Sequence, residues 1–320
     1  MSTSVLNAAH FASEEAAYGW VESRLWPEGP VCPHCGGFER ISKMQGKATR
    51  LGLYKCYQCR KQFRVTVGTI FEASHVPLNL WLQAMYLMAS SKKGISSNQL
   101  HRTLGVTLKT AWFMSHRIRE AMTSGDLGPL GGEGMTVEAD ETYFGQKEGP
   151  VRPSEQRKDR PYTKGGKSGP AHKRAVVSLV QRGGKVRSFH PEKATKEAVV
   201  GIVKDNIAAE SRFMTDESRL YHGLSAHFGS HLTVKHSHGE YVRGDAYTNT
   251  VEGYFSIFKR GMKGIYQHCA EKHLHRYLAE FDFRYNNRVI LGVNDRDRAD
   301  NILRGVVGKR LTYRTVGGGL

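Results

Sequence analysis

The 320-residue chain is poor in acid, in cysteine and in long apolar runs, and each shortage narrows what it can be. No stretch approaches the roughly 20 consecutive apolar residues of a membrane-spanning helix, and neither end carries a cationic amphipathic anchor, so no membrane partner is expected. The opening MSTSVLNAAHFASEEAAYGW lacks a basic segment and sets Glu14 and Glu15 where a secretory leader would be apolar. The expectation is a cytoplasmic protein. Asp and Glu number 30 against 47 Lys and Arg, a formal charge of +17, while 39% hydrophobic content is enough to fold. A folded chain this basic is suited to a polyanion, which makes it cytoplasmic and nucleoid-associated if the polyanion is DNA. Only five cysteines are present, and four come as two Cys-x-x-Cys pairs. In a reducing compartment that pattern points to metal rather than disulfides. Cys269 stands apart and reads as a packing thiol.

The pairs are Cys32-Pro-His-Cys35 and Cys56-Tyr-Gln-Cys59, with twenty residues between Cys35 and Cys56. Four thiolates at this spacing can close a tetrahedral shell around one structural Zn2+, and Gly36 and Gly37 permit the tight turn. His34 is then surplus to the shell. Alternation in Leu53 and Lys55, then in Gln62, Arg64 and Thr66, fits short strands around the second pair. A helix over 11–26, started by Ser13, is expected to turn Phe11, Ala17, Trp20, Val21 and Leu25 inward. Residues 1–75 therefore read as an N-terminal helix and a four-cysteine zinc ribbon.

From Leu78 the period becomes helical, with Leu80, Trp81, Ala84, Met85 and Met88 as a buried stripe. A second helix at ISSNQLHRTLG and a third at VTLKTAWFMSHRIREAM are joined at Gly105, with Thr107 as cap. Residues 76–124 thus read as a helix-turn-helix DNA-binding region. Lys109, Thr110, His116, Arg117 and Arg119 occupy polar positions of its last helix, suited to phosphates and base edges. Plain helix packing is the competing reading. A Gly-rich linker follows at 125–134.

Beyond it, MTVEADETYFG alternates as a strand, with Val137 and Ala139 facing one way and Asp140 near its end. Residues 147–174 hold nine Lys or Arg and no hydrophobic period, and read as a basic loop. A hairpin turning at Gly183-Gly184, a helix over ATKEAVVGIVKDNIAA, a strand ending at Asp216 and a strand at 231–236 come next. In YTNTVEGYFSIFKRGMKG, residues 247–264, Val251, Tyr254, Phe255, Phe258 and Met262 form a helical stripe. Glu252 lies on its rim and Lys259 follows seven residues later on the same line; Asp245 is the expected cap. A last helix turns Leu274, Tyr277, Leu278, Phe281 and Tyr285 to one face. These elements make up a second folded part spanning 135–290, and the mixed-charge tail, 291–320, is not placed.

Asp140, Asp216 and Glu252 therefore stand at three element junctions. Two Asp at strand ends and a Glu from a facing helix can converge. Such hard oxygens suit Mg2+ or Mn2+, two of which serve in-line phosphoryl displacement. Period two turns Glu141 and Glu217 to the opposite face, whereas Glu138 shares parity with Asp140 and is a candidate outer carboxylate.

Glu-Ala-Asp140-Glu-Thr-Tyr-Phe-Gly, Met-Thr-Asp216-Glu and Asn249-Thr-Val-Glu252-Gly-Tyr-Phe-Ser-Ile-Phe-Lys259-Arg-Gly-Met-Lys-Gly resemble the three blocks of the DDE transposases of bacterial insertion sequences. The likeness is to the branch with an amino-terminal zinc ribbon, and residues 266–287 resemble that branch as well. The resemblance implies an α/β protein, a ribonuclease-H-like mixed-sheet domain preceded by a zinc ribbon and a helix-turn-helix. It assigns Asp140, Asp216 and Glu252 to the catalytic metals and gives Lys259 the family's basic position. Some members carry Asn for the Glu; this sequence keeps Glu252.

The implied activity is end recognition at terminal inverted repeats, Mg2+-dependent DNA cleavage, and joining of the 3′ hydroxyl to target DNA. Double-stranded DNA is the expected partner, with a homodimer or higher assembly on it, and Arg260 and Lys263 join Lys259 as expected DNA contacts. The basic loop would hold phosphates. Two other readings stay open: a zinc-ribbon regulator with an inert catalytic remnant, and a structure-selective nuclease or resolvase on the same fold.

Overall fold

The structure is a computed structural model and describes residues 4–125, 128–146, 173–235, 240 and 242–312. The chain forms two compact units, Met1–Ser124 with Asn287–Leu320, and Gly125–Asn286. No helix among the described residues is long and apolar enough to cross a membrane.

In the first unit, α1 (Ala9–Ala12) breaks at Ser13, whose hydroxyl accepts the Ala16 N–H and so caps α2 (Glu14–Leu25). The expected single helix is thus two. Of its expected inward set, Phe11, Ala17 and Val21 are buried, Trp20 and Leu25 are half-buried, and Tyr18 joins the core instead. Three short antiparallel strands follow: β1 (Ile41–Lys43), β2 (Tyr54–Cys56) and β3 (Gln62–Phe63). Their small core is Tyr54, Phe63, Cys32 and Cys56 beneath Trp26, whose ring meets Tyr54 and Phe63 edge-on.

Helices α3 (Leu78–Ser90), α4 (Ser97–Leu104) and α5 (Leu108–Met122) then pack together. Ser96 and Thr107 cap α4 and α5, and Gly105 makes the turn between them with φ of 67°. The tail, unplaced from sequence, supplies α9 (Asp295–Arg304), capped by Asn294 in a box with Asp297. Arg298 joins it to α3 by donating to the Ala89 carbonyl at 2.9 Å.

The second unit is a five-stranded sheet. In chain order it has β4 (Thr136–Gln146), β5 (Lys173–Gln181), β6 (Val186–Phe189), α6 (Lys196–Asn206), β7 (Arg212–Asp216), β8 (Ser230–Val234), α7 (Asn249–Gly261) and α8 (Leu274–Asn286). The spatial order is β6-β5-β4-β7-β8, antiparallel across the first three strands and parallel from β4 onward. This mixed sheet, with one crossover helix between its antiparallel and parallel parts, is a ribonuclease-H-like fold.

Each face of the sheet has its own apolar layer. Val137, Ala139, Val177, Leu179 and Phe213 pack with Val199 and Val203 of α6. Val176 and Val180 pack with Val251, Phe255 and Phe258 of α7 and with Leu278 and Phe281 of α8. The near-continuous AVVSLV run of β5 is what a strand covered on both faces requires. Of the basic loop expected at 147–174, residues 147–172 lie outside the described residues, while Lys173 and Arg174 open β5.

Candidate active site

Asp140 lies mid-strand in β4, not near its end as expected, because β4 continues to Gln146 as a ribbon with β5. On its other edge β4 pairs with β7 only from Thr136 to Glu138. From Ala139 onward that edge is open, and Asp216, the last residue of β7, comes level with Asp140 there. Carboxylate oxygens of Asp140, Glu141 and Asp216 all lie within 4.8 Å of one another. Asp140 accepts the Glu141 N–H at 2.7 Å, and Asp216 accepts the Ser218 N–H at 3.0 Å.

Glu141 corrects the reading that turned it away. Its strand position does place it on the α6 face, with Val137 and Ala139, while Asp140 shares the α7 face with Glu138 and Thr142. At the open edge its long side chain nevertheless reaches the same point. The hydroxyls of Ser218 and Tyr221 donate to its two oxygens at 3.1 and 3.0 Å. Parity alone hides this; the one sequence signal is a second acid directly after Asp140.

Packing three acids together has an electrostatic consequence. Burial, then the Asp216 and Glu141 carboxylates, push the Asp140 carboxyl up to about 8. Glu141 is raised too, first by burial and then by Asp216, against the opposing bonds from Tyr221 and Ser218. A hard divalent cation relieves this repulsion, and three oxygen donors on one side fit such an ion.

Glu252, in the first turn of α7, stands outside the 4.8 Å trio but lines a cleft of about 700 Å3 with Asp140 and Glu141 and adds to the negative field on Asp140. It is exposed and accepts the Thr248 hydroxyl at 3.0 Å. Lys259, Arg260 and Lys263 line that cleft as well. The expected helix to Gly264 widens at Met262 into a π-helical turn, Met262–Tyr266, that carries Lys263 and Gly264 to the rim. The Tyr266 hydroxyl, bonded to buried Glu280 at 2.6 Å, anchors the end of that turn.

Two carboxylates take places other than those expected. Asp245 does not cap α7; it pairs with Arg212, which lowers its pKa. The cap comes from Glu138, which faces α7 rather than the acid trio and accepts the Thr250 and Val251 N–H groups at 2.8 and 3.0 Å.

The ribbon cysteines fit zinc. Cys32 and Cys59 sulfurs are 3.7 Å apart, as are those of Cys35 and Cys56, and all four lie within 4.8 Å. A tetrahedron with metal–sulfur bonds of about 2.3 Å has edges of about 3.8 Å.

The expected DNA-reading face of α5 is half corrected. Lys109 is exposed and Thr110 half-buried, its hydroxyl 2.8 Å from that of Thr107. His116, Arg117 and Arg119 are buried, because the second half of α5 is enclosed on all sides. Arg117 donates to the Ile70, Glu72 and Leu311 carbonyls at 2.7, 2.9 and 3.0 Å; Arg119 donates to Ser115 at 3.1 Å; the His116 ring lies 4.3 Å from that of Trp112. These three are packing residues, not DNA contacts.

Comparison with known proteins gives two family matches. Residues 129–286 match the ISXO2-like transposase domain and residues 12–62 the transposase zinc-ribbon domain, together more than half of the chain. An uncharacterized protein in transposable element ISH50 of Halobacterium salinarum is 29% identical over 278 residues, covering 86% of this chain and 91% of that protein. Among solved structures, the Mos1 strand transfer complex aligns over 69% of this chain and 73% of that one, at 12% identity and a TM-score of 0.26. A pre-cleavage Mos1 transpososome aligns at 11% identity and a TM-score of 0.17. At those scores the likeness carries no weight for the fold, which rests on the sheet order.

Proposed function

The chain belongs to the ISXO2-like family of insertion-sequence DDE transposases with an amino-terminal zinc ribbon, and from that premise we propose that it cleaves and joins DNA with Mg2+ or Mn2+ held at Asp140, Asp216 and Glu252. The observation that carries the reading is the acid trio at the open edge of β4, two of whose members, Asp140 and Glu141, line one cleft with Glu252 and three cations. Glu141 joins the ligand set, since its oxygens share that edge. Bound there, such ions lower the pKa of an attacking water or 3′ hydroxyl and steady the leaving oxygen.

The residues of the chain do the rest. Asp140, whose carboxyl is pushed up to about 8 without metal, would release its proton to solvent in order to serve as a ligand. Ser218 and Tyr221 hold Glu141 beside Asp140 and Asp216. Lys259, Arg260 and Lys263, lining the same cleft, bind phosphates flanking the scissile bond. In the other unit, one Zn2+ at Cys32, Cys35, Cys56 and Cys59 sets the ribbon. The ribbon and the start of α5, through Lys109 and Thr110, read the terminal inverted repeats of the element. Two ends cut together call for a homodimer or higher assembly on DNA, and a nucleoid-associated, cytoplasmic location follows from the substrate.

The test is incubation of the zinc-loaded protein with Mg2+ and a DNA fragment bearing the ends of its own element. Cleavage at those ends that is lost in Asp216→Ala, with binding retained, supports the proposal. Binding without any metal-dependent cleavage overturns it.

A further inference from the structure

We propose that Glu138 is a positioning residue for Glu252, acting as a cap for α7 that is supplied from strand β4. The inference rests on the reading above, in which Glu252 serves the metal site. Glu138 has no solvent exposure, and four donors converge on its carboxylate. They are the N–H groups of Thr250 and Val251 at 2.8 and 3.0 Å, the Thr250 hydroxyl at 2.7 Å and Arg182 Nε at 2.6 Å. The other two nitrogens of Arg182 donate to the Asp245 and Tyr247 carbonyls, each at 2.9 Å, and its guanidinium lies 3.5 Å over the Tyr247 ring. The chain entering α7 and the first turn of α7 are therefore both held on one buried carboxylate.

An ordinary cap would come from within the helix's own segment. The residue in that position, Thr248, makes no capping bond, and its hydroxyl goes to Glu252. A local Ser, Thr or Asp would satisfy the first-turn N–H groups equally well. It would leave α7 free to shift along the sheet. A cap borne by β4 fixes the helix to the strand, at a place two residues from the working acid on each side: Glu138 precedes Asp140 on the same face of β4, and Thr250 precedes Glu252 in α7. Burying a carboxylate is costly unless it is paired and hydrogen-bonded. Here every donor that offsets the cost belongs to, or holds, the start of α7.

Mn2+ titration of the full-length, zinc-loaded chain, followed by calorimetry without DNA, tests this. Glu252→Gln and Glu138→Gln are each expected to weaken Mn2+ binding about tenfold. Because Glu138 acts through Glu252, the double variant should bind no more weakly than Glu252→Gln alone. A merely structural role would lower the folded fraction without moving the affinity per folded chain, or would add to the loss in the double variant; either outcome overturns the proposal, as does parent-like affinity in Glu138→Gln. If Glu138→Gln does not fold, Thr250→Val removes one bond only, and should weaken binding about threefold while adding nothing in the Glu252→Gln background; an additive or absent effect counts against the proposal. Mn2+ binding that ignores both Asp140→Asn and Glu252→Gln removes the metal-site reading itself, and the inference falls with it.

Discussion

Tyr221 donates its hydroxyl to Glu141 across 3.0 Å from within the core layer beneath α6, where Tyr221 is fully buried against Phe213. The bond holds Glu141 at the open edge of β4 and, with that from Ser218, opposes the upward push of burial and Asp216 on its pKa. Tyr221→Phe keeps the ring and removes the bond. The loss should cost about 1–2 kcal/mol of stability, raise the Glu141 pKa further, and weaken Mn2+ binding by about tenfold, the usual scale for a group that orients a ligand. Urea unfolding and calorimetric Mn2+ titration read these outcomes. An unchanged Mn2+ affinity would show that Glu141 is not a ligand.

The raised Asp140 pKa makes the stability of the metal-free protein depend on pH in a defined direction. Unfolded, an Asp titrates near about 4; folded, Asp140 titrates at about 8. Between those values the native state holds a proton that the unfolded chain has released. The contribution is fully present below about pH 4 and is lost as pH rises to about 8. Urea midpoints of zinc-loaded, Mg2+-free protein should fall across that window, and Asp140→Asn should flatten the slope. Metal binding at pH 7 should release a proton, visible as a binding heat that varies with the ionisation enthalpy of the buffer. Identical slopes in the parent and Asp140→Asn would refute the assignment.

Elements with a strong period of their own are legible in this sequence. The β5 run, the α7 stripe and the Gly105 turn follow from side-chain spacing and backbone freedom, and each is found where the spacing puts it. What spacing does not carry is where a neighbouring strand stops. Glu141 reaches Asp140 because β7 ends at Asp216, and Glu138 is turned to a cap because α7 arrives over its face of β4. Both depend on contacts between distant segments. Arg117 misleads for a different reason: a polar residue at a helical position reads as solvent-facing, yet Ile70, Glu72 and Leu311 present carbonyls that take a buried donor.

The ribbon core is too small to hold without its metal. Tyr54, Phe63, Cys32 and Cys56 make up its buried cluster, and two of those four are candidate ligands. Chelation should release about one zinc per chain and unfold this segment. Cys56→Ser should lose the zinc and the near-ultraviolet signal of Trp26, which packs edge-on against Tyr54 and Phe63. A zinc-free Cys56→Ser protein with that signal intact would rule out a structural metal.

Arg117 and Lys109, eight residues apart on α5, should separate stability from DNA binding. Arg117→Ala strips donors from three backbone carbonyls in a buried site. Leaving such acceptors unsatisfied should cost about 2–4 kcal/mol in sum. Its DNA affinity per folded chain should stay near that of the parent. Lys109 is exposed at the first turn of the helix, so Lys109→Ala should leave the melting temperature within about a degree, because substitutions at exposed sites stay within about 0.5 kcal/mol. It should instead weaken binding to a fragment carrying the element's ends and reduce the slope of log affinity against log salt by about 1. Thermal melts and salt-dependent anisotropy titrations measure the two effects separately. A Lys109→Ala protein with parental salt dependence would move the DNA-reading surface off α5 altogether, since its remaining basic residues in the expected set are enclosed.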